Sequence, residues 1–192
     1  MPHSGRFHTG FTLVEALVAL GVGTTLALAT VPLLAAAAVA VRRAGEQTVT
    51  AALASAKLEQ LLTLDWMYVP VAGGGVVRWT DTSTDTSPER PASGGRGLLP
   101  SPGDSLVLSA SGYVDYLDRH GRWAGAGPAP PPGARFVRRW RVAPLPADPD
   151  DVVVVQVMAS PLSVDLGAAA RRPGVRLPGE TWLTAVRART AR

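Results

Sequence analysis

Between Phe11 and Val41 the chain carries a single ionisable side chain, Glu15. A carboxylate held within a membrane helix costs about 2.5–3.5 kcal/mol on insertion scales, so an acid in such a place needs a partner or a task. Two further groups of residues have types suited to chemistry. Asp115, Asp118 and His120 bring acids and a base together in sequence, but no nucleophile pattern such as G-x-S-x-G accompanies them, and Asp118-Arg119-His120-Gly121 has the composition of a hairpin turn. Asp81, Asp85 and Glu89, and again Asp148, Asp150 and Asp151, offer oxygens of the kind calcium takes, although solvated acidic loops account for both sets more simply. His3, His8 and His120 lack metal-ligand spacing. No catalytic residue, metal site or cofactor is expected.

Composition narrows the classes. The 192 residues allow one soluble domain plus appendages, and the apolar N-terminal run inflates the 46% hydrophobic content. The net charge of +4 is spread over the chain without a dense basic block, so direct nucleic-acid binding is not inferred. Cysteine is absent, which removes disulfides, thiolate ligands and cysteine nucleophiles together.

Residues 1–10 form a short polar leader. Phe11 to Val41 is 31 residues, about 46 Å as a helix against roughly 30 Å of bilayer hydrocarbon. Gly21, Gly23 and Pro32 interrupt its Leu, Ala and Val, and Pro32 predicts a kink or a locally melted turn. Residues 42–64 continue the helix in amphipathic form. Val49, Leu53, Ala56 and Leu64 fall on one side and Ala51, Ala54, Leu58, Leu61 and Leu62 on the other, with Thr48, Ser55, Glu59 and Thr63 between them. Two apolar faces imply two neighbours. Either one is the chain's own sheet and the second another subunit, or the helix is buried in a single larger core.

Residues 65–192 hold 15 prolines, 15 glycines and all five tryptophans, the composition of a turn-rich β domain. Residues 65–70 read as a break and Gly73 to Gly103 as a long surface loop. Strands are expected at Ser105–Leu108, at Tyr113–Leu117 turning into Arg122-Trp123, at Phe136–Val142 (half-exposed), at Val152–Val157 (covered on both faces) and at Thr181–Val186.

The residues GFTLVEALVAL, followed by the apolar run, resemble the N-terminal processing site of the type IV pilin and pseudopilin family. Pro32 lies where pilins commonly carry a helix-breaking proline. The likeness covers Gly10 to about Leu64; beyond that only the order of elements is similar. It implies an α+β, pilin-like fold, a long N-terminal helix packed on a C-terminal antiparallel sheet. It implies cleavage between Gly10 and Phe11 by a prepilin peptidase/methyltransferase, N-methylation of Phe11, and a role for Glu15 in assembly and register. By this resemblance the Glu15 carboxylate neutralises the Phe11 amine of a neighbouring pilin or pseudopilin subunit. Subunits with this acid stack beneath another, unlike the tip subunit that lacks it.

The segment Ala51 to Leu61 and the strand arrangement look more like a minor pilin or minor pseudopilin than a major subunit. The disulfide loop of many pilins is missing. The expected life history is single-pass insertion in the inner membrane with the C-terminal domain extracytoplasmic, then transfer into a type IV pilus or type II secretion pseudopilus. The competing expectation is a membrane-anchored or secreted β-domain binding module with an ordinary signal anchor or signal peptide, for which Ala38-Val39-Ala40 supplies a small-residue cleavage pattern.

Overall fold

The computed structural model describes residues 12–81, 97–167 and 176–191. The chain divides into two units, Met1–Arg42 and Arg43–Arg192, and helix α1 (Leu13–Thr63) contributes to both.

In the first unit α1 is apolar and exposed on every side. It contains an 18-residue window of mean hydropathy 2.0, long and apolar enough to cross a membrane. Its hydroxyls are satisfied within the helix: Thr24 Oγ1 donates to the Leu20 carbonyl at 2.9 Å and Thr25 Oγ1 to that of Gly21 at 2.6 Å. Internal satisfaction of this kind lets threonine sit in a medium without water. The helix runs through Pro32 without interruption.

In the second unit the rest of α1 packs on one face of a five-stranded antiparallel sheet of order β4-β3-β5-β6-β7. Its strands are β3 (Val114–Leu117), β4 (Trp123–Ala126), β5 (Phe136–Leu145), β6 (Asp148–Pro161) and β7 (Thr181–Ala188). Ala54 and Leu61 of the helix join Trp140, Val142, Val153, Val155, Val157 and Ala159 of the sheet in one core cluster. A smaller cluster of Val114, Tyr116 and Val137 lies apart from it, packed by Ala134 and by Leu162 of the short helix α2 (Leu162–Gly167). A separate three-stranded sheet joins β1 (Trp66–Val71) and β2 (Gly75–Thr80) to β8 (Thr190–Ala191), which runs parallel to β1.

Several expectations need correction. Residues 65–70 are not simply a break, and part of the expected loop after Gly73 is ordered as β2. Gly73 and Gly74 supply the positive φ values (108° and 88°) of the connecting turn, and Met67, Val69 and Pro70 pair with Trp79, Val77 and Val76. Ser105–Leu108 is a run of turns, since the Asp104 carbonyl accepts from both the Val107 and Leu108 amides at 2.8 Å. Pro102-Gly103-Asp104 upstream favours that local closure. Strand β6 is not covered evenly. Val153, Val155 and Val157 are buried while Val152, Val154 and Gln156 are half-exposed, because the helix covers only one face. Strand β5, expected to be half-exposed, is buried through Val137–Trp140 with Arg138 and Arg139 inside.

Arg189 ties the small sheet to β6. Its guanidinium lies 3.7 Å from the Trp66 ring centroid, donates to the Trp79 carbonyl at 2.8 Å, and reaches the Asp150 carbonyl at 3.1 Å. Stacking and charge-assisted bonds at a side chain only 4% exposed are together worth about 2 kcal/mol. Replacing Arg189 with Ala is therefore expected to speed amide exchange selectively in β1 and β2, leaving β5 and β6 protected. Unchanged β1–β2 exchange would contradict the role assigned to this residue.

Candidate assembly helix and its anchorage

The N-terminal end of α1 is built by Thr12. Its carbonyl accepts from the Ala16 amide at 3.1 Å, and its hydroxyl accepts from the Glu15 amide at 3.3 Å. Thr12 is thus the N-cap and Glu15 the third helical residue, a T-x-x-E capping arrangement. The Glu15 carboxylate sits in the first turn, where the helix dipole favours negative charge, and the residue is exposed. Gly10 and Phe11, the expected cleavage and methylation residues, lie outside the described residues.

The other end of the helix is held by charge. Along α1 the buried positions are Thr50, Ala54, Lys57 and Leu61, one stripe at helical spacing. Two of these four are polar, and each meets the sheet. Thr50 Oγ1 lies 3.0 Å from both the Gly179 carbonyl and Thr181 Oγ1. Lys57 Nζ lies 2.9 Å from Asp115 Oδ2 and 4.1 Å from the centroid of the Trp140 ring, and donates to Gln60 Oε1 at 3.1 Å. Arg138 closes the cluster with two parallel bonds, Nε to Asp115 Oδ1 at 2.8 Å and Nη2 to Oδ2 at 2.7 Å. Its Nη1 extends to the Leu53 carbonyl of the helix at 3.4 Å.

Asp115, Arg138, Ala159 and Thr181 occupy one row across β3, β5, β6 and β7. The polar points of the helix therefore meet a single transverse line of the sheet. Adjacent on β5, Arg139 forms a fork with Asp165 of α2 at 2.6 and 2.8 Å and donates to Ser109 Oγ.

The remaining expected positions separate. Asp118 Oδ1 accepts from the His120 and Arg122 amides at 2.7 and 2.9 Å, so it closes the β3–β4 turn, and those bonds hold its carboxyl below the ordinary value. Asp115 stands apart from that turn in the interior. Asp150 and Asp151 pair with Arg78 at 3.2 and 3.3 Å. Asp85 and Glu89 lie outside the described residues. Of the residues expected on the two apolar helix sides, Ala54, Leu61 and Leu64 are buried, whereas Val49 and Ala56 face outward. The anchoring cluster was missed because Lys57 sits among Ala and Leu where a surface cation is ordinary. One signal for it exists: Lys57 is the sole lysine in an arginine-rich chain.

A long helix of which one part packs on an antiparallel sheet defines an α+β, pilin-like class of fold. Comparison with known proteins adds no particular member of it: no protein family, no curated protein and no solved structure was found to match the chain.

Burial alone raises the Asp115 carboxyl, but Arg138 and then Lys57 outweigh it and hold the group below the ordinary carboxylate value. A depressed folded value means that the stabilisation is complete above the unfolded value of about 3.9 and is lost as pH falls through the folded one. Asp115→Ala strands two buried cations and is expected to cost about 3–5 kcal/mol. Lys57→Met retains the Arg138 fork and folds, but its acid-unfolding midpoint, followed by circular dichroism, is expected at higher pH than that of the parent. An unshifted midpoint would show that Lys57 does not act on Asp115.

Proposed function

We propose that the chain is a minor pilin-like structural subunit rather than an enzyme. In this reading a precursor is held in the inner membrane by residues 11–41 with residues 65–192 outside the cytoplasm. It is processed between Gly10 and Phe11, methylated at Phe11, and assembled through its helix into a type IV pilus or type II secretion pseudopilus. The observation that carries the proposal is an apolar, outward-facing helix with one acid in its first turn, continuous with a segment packed on an antiparallel sheet.

The physical logic is intermolecular. A new subunit lowers the cost of placing Glu15 in lipid by bringing it to the cationic amine of a chain already assembled, and this pairing sets the axial register. The partners are then other pilin or pseudopilin subunits and a prepilin peptidase/methyltransferase.

A second reading is favoured by one observation. The Thr12–Glu15 capping geometry gives Glu15 a local task in any anchor helix, including that of a membrane-tethered binding module. The two readings part on one substitution. Glu15→Ala is expected to leave membrane insertion intact while reducing incorporation into filaments at least tenfold, scored by immunoblot of sheared filaments against the membrane fraction. Full incorporation of the variant would exclude the pairing; loss of insertion itself would assign the acid to the helix cap.

A further inference from the structure

Near the start of the second unit, Glu46, Arg119, Arg135, Phe136, Pro161 and Leu162 border an open hollow of about 380 Å³. Its volume falls within the range of small-ligand sites. Its charges are arranged unusually: Glu46 and Arg135 line the same space, yet neither forms an ion pair with the other or with any described residue. Arg119 donates from Nε to His120 Nε2 at 2.8 Å, which orients the guanidinium and leaves its terminal nitrogens for a ligand. Ala134, Phe136, Pro161 and Leu162 supply the apolar part of the lining, beside these charges and Ser163. A simple anion would suit the two arginines but be repelled by Glu46, and a simple cation would meet the reverse. A ligand carrying both charges on an apolar stem satisfies the whole lining.

Chain connectivity brings such a ligand within reach. Glu46 lies five residues beyond Val41, the end of the apolar run, and five residues span at most about 18 Å even fully extended. We propose that this hollow takes the headgroup of phosphatidylethanolamine, with the phosphodiester at Arg119 and Arg135, the ammonium at Glu46, and the glycerol region on Phe136, Pro161 and Leu162. Guanidinium forks suit phosphate oxygens, and a carboxylate suits a primary ammonium. The inference rests on the membrane-anchored reading above. It adds a lipid-specific contact that would hold the globular domain at the bilayer surface before the subunit is extracted.

The test uses the full chain in non-ionic detergent micelles, titrated by calorimetry with dihexanoyl-phosphatidylethanolamine, dihexanoyl-phosphatidylglycerol and free O-phosphoethanolamine. The ethanolamine lipid is expected to bind at least tenfold more tightly than either of the others. Glu46→Gln is expected to erase the preference over the glycerol lipid, and Arg135→Ala to weaken both lipids at least fivefold. Both residues are exposed, and unchanged thermal melts are the folding control. Equal binding of the two lipids to the parent, or binding indifferent to Arg135→Ala, would overturn the proposal. Equal affinity for free phosphoethanolamine would overturn its lipid part. Because micelles require no filament, this result is independent of the Glu15 incorporation assay, and the two proposals fail separately.

Discussion

The Asp115 carboxylate is the point on which the packed part of the structure depends. A fully desolvated acid is tolerated only because Arg138 grips both its oxygens and Lys57 approaches from the helix, and those two cations in turn need the acid. The excess positive charge is offset by the Trp140 ring beneath Lys57 and by the Leu53 carbonyl near Arg138. The cluster therefore specifies more than adhesion. Aliphatic packing between Ala54, Leu61 and the valines of β6 would tolerate sliding, whereas a lysine that must meet one carboxylate fixes both rotation and axial position of the helix.

The same logic separates the two ends of α1. Its C-terminal segment has a buried stripe whose polar members are matched by the sheet, with Thr50 placed against Thr181 and Lys57 against Asp115. Among the described residues, its N-terminal segment has no buried stripe, and its one acid, Glu15, has no ion-pair partner. One helix thus carries a settled interface and an unsettled one. The proposed subunit function assigns the unsettled part first to lipid and then to neighbouring helices, where an acid at a defined depth would do for register between chains what Lys57 does within this one.

Much of this organisation was legible in the sequence, and the exceptions have physical causes. The long helix, its end near Leu64, the turn at Asp118–Gly121 and the strands around Tyr116, Trp140, Val155 and Leu183 follow from apolar periodicity and turn residues. The β1–β2 hairpin was hidden because Trp66-Met67-Tyr68-Val69-Pro70-Val71 contains a proline and does not alternate cleanly. Its pairing is set by the Gly73-Gly74 turn that joins the two strands and is braced by Arg189, far along the chain. Ser105–Leu108 has strand composition but closes on Asp104. Arg138 and Arg139 looked like outward residues of a half-exposed strand because their partners, Asp115 and Asp165, are 23 and 26 positions away. Pairing across such separations leaves no periodic trace.

The proposed subunit role requires that the apolar helix begin, in the working protein, with a processed amine near Glu15. Mass spectrometry of the protein isolated from filaments or membranes of its native host measures this directly. Processing of the proposed kind yields a chain starting at Phe11 with one added methyl group on its amine. A functional chain that retains Met1 to Gly10, or one that starts at Val41, would contradict it.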